Sequence, residues 1–382
     1  MNTKKYFLSL AVSILLGLVF GLLISSLFKS LYWIQDFQHI NSYYIFLLPF
    51  VWLILKLIKK STLYFPISTS EARSADASTY KYWNKWGLIF NFFGTLLGHF
   101  SGASIGREGA AVVVSSQAAN LLRLDWNYWR GIVIASSFAI AVGQPWVSVV
   151  FLIEMFSTSL IQKIFTLIVA WIGSLVLTSF QVPHLLKPFF ILGVDSFFKK
   201  LLFVFICGAV VGVLAKIYKN IFFSAKEFFD KKSIWIGFIL LIAVSMILYM
   251  PQFKNIHSLS LELFKEIQFA QISVETLSYK IIFTLFFVSI GYWGGDFVPS
   301  ILIGCGLGAV IARAMSIDPM FGVMIGSFMF FCGLTRLKWT ALFLTGAVII
   351  GWNQLLWVYL ALTVCRQFSG KGSIYFSKNT AF

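Results

Sequence analysis

The chain has 382 residues, 59% hydrophobic and only 12% charged, with 30 Lys and Arg against 14 Asp and Glu for a formal charge of +16. Uncharged runs of bilayer length recur from end to end, which excludes a soluble globular protein and predicts an all-α polytopic membrane protein. The excess positive charge sits in short clusters at the ends of apolar runs, such as Lys59 and Lys60 or Lys231 and Lys232, as cytoplasmic flanks do, so no nucleic-acid partner is expected.

Taken in chain order, MNTKK before the first span places the amino terminus in the cytoplasm. The 23 uncharged residues from Tyr6 to Phe28 exceed the apolar core of a signal peptide and read as a retained helix. Further helices are predicted near 40–58, 87–101, 109–122, 131–142, 145–160, 164–181, 201–218, 233–250, 278–292, 299–313, 319–333, 337–350 and 352–366. The run Ile164 to Leu186 carries no charge, and Tyr80, Tyr82, Trp83 and Trp86 suit an interfacial belt. Cys207, Cys305, Cys332 and Cys365 lie singly in apolar segments and only four histidines are present, so packing cysteines are expected, with no metal site and no cofactor. With no linker or low-complexity tract, residues 1–382 read as one integral-membrane transport domain without a cytoplasmic regulatory module, built of approximate repeats at 30–190 and 200–375.

Several of these helices are too short to span. Gly109 to Leu122 has 14 uncharged residues, Leu201 to Ala215 has 15 and Phe297 to Ala312 has 16. Backbone ends cannot lie bare in lipid, so such pieces survive only inside protein or against a wet cavity, and paired breaks in two halves of a chain point to a transporter's midplane site. Two breaks are glycine-rich: SGASIGREGA, Ser101 to Ala110, and GYWGGDFVPS, Gly291 to Ser300. A helix amino terminus offers free N–H groups and about half a positive charge, and glycines let a ligand approach the backbone closely. Small anions are favoured there.

Glu108, beside the first break, can occupy such a site as a surrogate anion when ionised and vacate it when protonated, because burial and a neighbouring anion both favour the neutral acid. It would then be gate and proton carrier together. The competing assignment is an ion pair with Arg107, against which stands the rule that adjacent helix residues do not face each other.

GASIGREGAAV resembles the glycine-Arg/Lys-Glu-glycine signature of the CLC family of chloride channels and anion/proton antiporters. Gln144, Pro145 and Trp146 running into the apolar stretch that ends in Glu154, the GGDFVPSILIGCGLGA segment from Gly294 to Ala309, and SGKGSIY from Ser369 to Tyr375 resemble further motifs of that family in the right order. The resemblance implies an inverted-repeat fold of many tilted and half-spanning helices, and a homodimer with one anion pathway per subunit. It implies Glu108 as the external gate, and anion contacts from Gly106, Arg107, Gly109, the N–H groups of Phe297 and Val298, and the hydroxyl of Tyr375. Gly102, Gly294, Gly295, Pro299, Glu154 and Met155 would support these motifs.

The departures also inform. The family's first motif has no clear match in YFPISTSEARSADA, Tyr64 to Ala77, so Ser68, Thr69 and Ser70 all stay open as the inner hydroxyl donor. Met155 stands where proton-coupled chloride members carry a second glutamate, which removes their inner proton route. GTLLGHFSGASIGREGAAV, the lone Glu154 and SGKGSIY are similar to the fluoride-exporting branch, whereas Val298 replaces that branch's threonine. The expectation is therefore halide transport, chloride first with fluoride as the alternative, as a channel or proton-coupled antiporter in a bacterial inner membrane, with membrane lipid and protons as the other partners. A carboxyl facing cytoplasmic water is the plainer assignment for Glu154. For Asp296 the choice lies between stabilising its helix start and tuning anion access. An intramembrane enzyme would need clustered acids or histidines, and Glu108, Glu154 and Asp296 are scattered in the sequence, so no enzymatic activity is expected.

Overall fold

A computed structural model of the chain describes residues 3–40, 42–61, 64–182, 196–258, 260, 263, 266, 271–348 and 354–375. Among these the protein is all-α: α1 Thr3–Ile40, α2 Leu48–Lys60, α3 Thr69–Ser74, α4 Ala77–Lys81, α5 Gly87–Phe100, α6 Glu108–Leu121, α7 Trp126–Val142, α8 Val147–Met155, α9 Leu160–Ser179, α10 Phe197–Lys231, α11 Ile234–Leu248, α12 Val274–Ile290, α13 Phe297–Ala314, α14 Pro319–Gly326, α15 Met329–Thr335, α16 Lys338–Val348 and α17 Leu355–Phe368. Of the expected spans, residues 183–186 of the run Ile164 to Leu186, the last two residues of 337–350 and the first two of 352–366 lie outside the described residues.

Two expectations fail for one reason. The first helix does not stop at Phe28 but continues to Ile40, and the short span at Leu201–Ala215 is part of a 35-residue helix, α10. Charge runs were read as ends. Lysine, however, is a good helix former and does not interrupt the backbone ladder. Lys29 rides over the ring of Phe180 at 5.1 Å, and Lys219 finds carbonyl partners inside the protein. The expected helix at 319–333 is divided by a turn at Ser327 and Phe328 into α14 and α15.

Among the described residues four helices are long and apolar enough to cross a membrane: Tyr6–Gln38 of α1, α9, α10 and α13. They differ in what surrounds them. A third of the apolar window of α1 is buried against 78% of that of α13, so α13 is an inner helix wrapped by protein. Its GCGLGA stretch packs antiparallel to α14, with Gly304 against Gly326 and Gly308 against Gly322. A methyl group on any of the four would strike the opposite carbonyl, the close approach that small residues permit between helices. Short α6 is more enclosed still, with every residue from Ala110 to Ala119 buried. Both helices thus begin inside protein, where an interrupted backbone is tolerated.

Candidate functional site

Each break is shaped by a left-handed glycine and by side chains that cap the helix behind it. After α5, Gly102 turns at φ +88°. The Gln38 amide from the end of α1 donates to the carbonyls of His99 (2.7 Å) and Phe100 (3.1 Å), satisfying groups left open at that helix end. After α12, Gly291 turns at φ +96°. There the Trp52 indole takes the carbonyl of Ile290 (2.9 Å), and the Tyr292 hydroxyl donates to the carbonyl of Leu48 (2.6 Å). Two left-handed glycines therefore reverse the chain where an ordinary residue would keep helical geometry.

The breaks then meet. Gly106 and Gly295 form an antiparallel bridge, each N–H donating to the other's carbonyl at 2.5 and 2.6 Å. Gly109 and Gly295 pack so closely that a Cβ on the former would lie 2.7 Å from Gly295 Cα, and one on the latter 2.7 Å from Gly109 N. Only glycine fits there. α6 and α13 consequently start on either side of one two-residue contact. In the first turn of α13, Pro299 has no N–H and that of Ser300 bonds the Asp296 carbonyl (2.9 Å), which leaves Phe297 and Val298 as the donors without a backbone partner among the described residues. The ring of Phe297 turns aside into an aromatic cluster with Phe138 and Phe331, each at 5.0 Å.

Arg107 and Glu108 do face each other, contrary to the sequence argument. Arg107 Nε donates to Glu108 Oε1 at 3.2 Å, and both side chains are only 3% exposed. The adjacent-residue rule describes helix interiors, whereas Arg107 is the cap residue outside α6 and Glu108 is its first residue. The guanidinium lies 3.8 Å over the ring of Phe28 and donates to the Tyr32 hydroxyl (3.1 Å), so it is bound to α1. Its pair leaves one atom over. Glu108 Oε2 is buried without a hydrogen-bond partner among the described residues.

Gly295 of the bridge also lines a cavity of about 180 Å³ that brings together residues that the sequence left unconnected. Ser68, Thr69 and Ser70 line it with Asp296 and Tyr375. Ser68 caps α3 by accepting from the Glu71 N–H (3.3 Å) and is 3.0 Å from the Ser70 hydroxyl. The Tyr375 hydroxyl stands against the Asp296 carboxyl. The same cavity is lined by three lysines, Lys56, Lys59 and Lys226, and by the carboxylates of Glu71 and Asp230. Lys59 pairs with Glu71 at 2.9 Å and Lys56 with Asp230 at 3.2 Å.

Glu154 and Met155 stand away from this cavity. The Glu154 carboxylate accepts from the N–H groups of Trp339 (2.9 Å) and Thr340 (2.7 Å) and from the Thr340 hydroxyl (2.7 Å), which makes it the cap of α16. A carboxylate at a helix amino terminus is well placed both by hydrogen bonding and by the dipole. Met155 is buried, and its carbonyl accepts from Arg73 (3.3 Å). Two buried lysines escaped the sequence reading. Lys280 donates to Ser104 Oγ in the first break (2.7 Å) and to Ser260 Oγ (2.6 Å), and Lys219 reaches the loop that carries Tyr375. A lone lysine inside an apolar helical run was the available signal for Lys280, whereas Lys219 stands three residues from Lys216 and carried no such mark. Among the described residues no three His, Cys, Asp or Glu side chains stand together as metal ligands would.

The chain resembles solved structures along nearly its whole length. It matches a CLC-type fluoride/proton antiporter with a TM-score of 0.84 at 19% identity, covering 98% of each chain. A slow cyanobacterial Cl−/H+ antiporter matches with a TM-score of 0.76 at 16% identity, over 98% of this chain and 97% of that one. For a eukaryotic CLC transporter the values are 0.71 and 18%, over 98% and 74%. These likenesses show that the all-α CLC fold is shared. No curated protein matches in sequence. The family model described as voltage gated chloride channel matches residues 71–370, a stretch that includes both glycine breaks and the cap of α16, and the chain therefore belongs to that family of multi-pass membrane transport proteins.

Proposed function

We propose that the protein exchanges a small halide for protons across the membrane, with Glu108 as gate and proton carrier. The observation that carries this reading is the meeting of the two breaks at Gly106 and Gly295, with the buried carboxyl of Glu108 beside it holding one unpartnered oxygen. An anion in the cavity would meet the hydroxyls of Ser68 to Ser70 and Tyr375, next to the first turn of α13, where the N–H groups of Phe297 and Val298 have no backbone partner among the described residues. Hydroxyl and amide donors hold a halide at moderate strength, so that it can also leave. Arg107 would act from behind, balancing Glu108 while that side chain is charged.

Fluoride stands before chloride in this proposal. Glu154 is engaged as a helix cap and Met155 is apolar, so an inner glutamate of the chloride-exchanging kind is missing, and Asp296, half-buried in the cavity beside Tyr375, is the lining carboxyl not paired with a lysine and so the one to receive a proton there. The likeness to a fluoride/proton antiporter supports the same order. The test is flux from liposomes followed with fluoride and chloride electrodes and a pH probe. Wild type should move protons against fluoride, and Glu108→Gln, a mimic of the protonated acid, should abolish proton movement while leaving either a fluoride leak or a block. An unchanged proton-to-halide ratio in that variant would remove Glu108 from the mechanism.

A further inference from the structure

Lys219 lies on α10, four per cent exposed, and its ammonium donates to three carbonyls: Gly333 (3.0 Å), Ser369 (2.8 Å) and Gly372 (2.6 Å). The first belongs to the last turn of α15, the second caps the end of α17, and the third lies in the loop running to Tyr375. Carbonyls at helix carboxyl ends are natural partners for a cation. Three hydrogens meet three acceptors, a count that only the charged form supplies. No carboxylate pairs with this ammonium among the described residues.

The remainder of that loop is fastened in turn. The Ile374 N–H donates to the Leu334 carbonyl (3.1 Å). Ser373 Oγ donates to the Thr335 carbonyl (2.8 Å) and accepts from the Tyr375 N–H (3.2 Å). Arg336 holds the Gly370 carbonyl. Tyr375 therefore reaches the cavity from a segment whose start is joined to two helix ends by one buried lysine. We infer that Lys219 is a positioning residue for the Tyr375 hydroxyl and so sets the affinity of the inner anion site, an inference that rests on the anion-donor role given to Tyr375 above.

The test is a double-mutant cycle on purified protein, with sodium fluoride and sodium chloride titrated calorimetrically. Tyr375→Phe removes one hydroxyl donor to an anion and should weaken binding about 10- to 100-fold. Lys219→Met should weaken it by a similar factor, and the double variant should bind no worse than the weaker single one, because the lysine acts through the tyrosine. If Lys219→Met does not fold, Lys219→Gln, which keeps two N–H donors, carries the same cycle with a smaller expected loss. Multiplying losses would mean that Lys219 acts independently, and wild-type affinity in folded Lys219 variants would overturn the proposal outright. Unchanged binding in Tyr375→Phe would instead remove the donor role of Tyr375, and the positioning role with it.

Discussion

Gly295→Ala tests the contact on which the proposed transport pathway depends. The backbone at Gly295 is not left-handed, so alanine is conformationally acceptable and only space is at issue. Its Cβ would lie 2.7 Å from Gly109 N and 3.0 Å from Gly109 Cα, both backbone atoms that cannot rotate away. Restoring van der Waals contact requires the two breaks to part by roughly 0.7 Å, and overpacking of this kind costs about 1–3 kcal/mol. The bridge hydrogen bonds at 2.5 and 2.6 Å would stretch by a comparable amount. Because the strain falls on the starts of α6 and α13, halide affinity should drop about 5- to 100-fold, at about 1.4 kcal/mol per factor of ten. Thermal unfolding in detergent reports the stability loss, and liposome flux with halide titration reports the site. Gly346→Ala on α16, where a Cβ meets only the Leu355 side chain at 3.4 Å, is the control. Wild-type affinity and flux in a folded Gly295→Ala protein would refute the idea that this contact forms the anion site.

Glu154→Ala removes three hydrogen bonds from the start of α16 and should lower stability by about 1–2 kcal/mol, read as a reduced melting temperature, with the proton-to-halide ratio unchanged. A changed ratio would return Glu154 to the proton route. Asp76, the N-cap of α4, has its carboxyl held down to about 2 by the Thr79 N–H (2.7 Å) and by the hydroxyls of Thr79 and Ser78. Because the folded value lies below the ordinary one of 3.8, the associated stability is complete above about pH 4 and is lost as pH falls toward 2. Asp76→Asn should therefore lose stability relative to wild type at neutral pH and converge with it in that acid window, as melting curves across pH would show.

Much of the site was legible because the chemistry required unusual residues in unusual places. Glycines beside charges in an apolar run have few purposes in a membrane, and the two breaks so marked are the ones that meet. Other features were not legible, since their partners are remote in the chain. Glu154 looks like a free carboxyl until Trp339 and Thr340 arrive from 185 and 186 residues away. Ser68, Thr69 and Ser70 are equivalent in the sequence and are singled out only by sharing a cavity with Tyr375. The Arg107–Glu108 pair was discounted by a rule for helix interiors, although Arg107 stands outside α6 as its cap and only Glu108 belongs to the helix.

Composition and apolar run length alone determined that this chain lives in a bilayer, because no soluble core could bury so much hydrocarbon. Local order determined where helices must break, because glycine is the residue that can turn the backbone there without strain. What only the tertiary structure decided is which charges are neutralised and by what. Lys219 and Lys280 find hydroxyl and carbonyl oxygens from distant segments, while Glu108 keeps one oxygen unmatched. Solvation of a buried charge depends on neighbours brought from across the chain, and sequence distance carries no information about them.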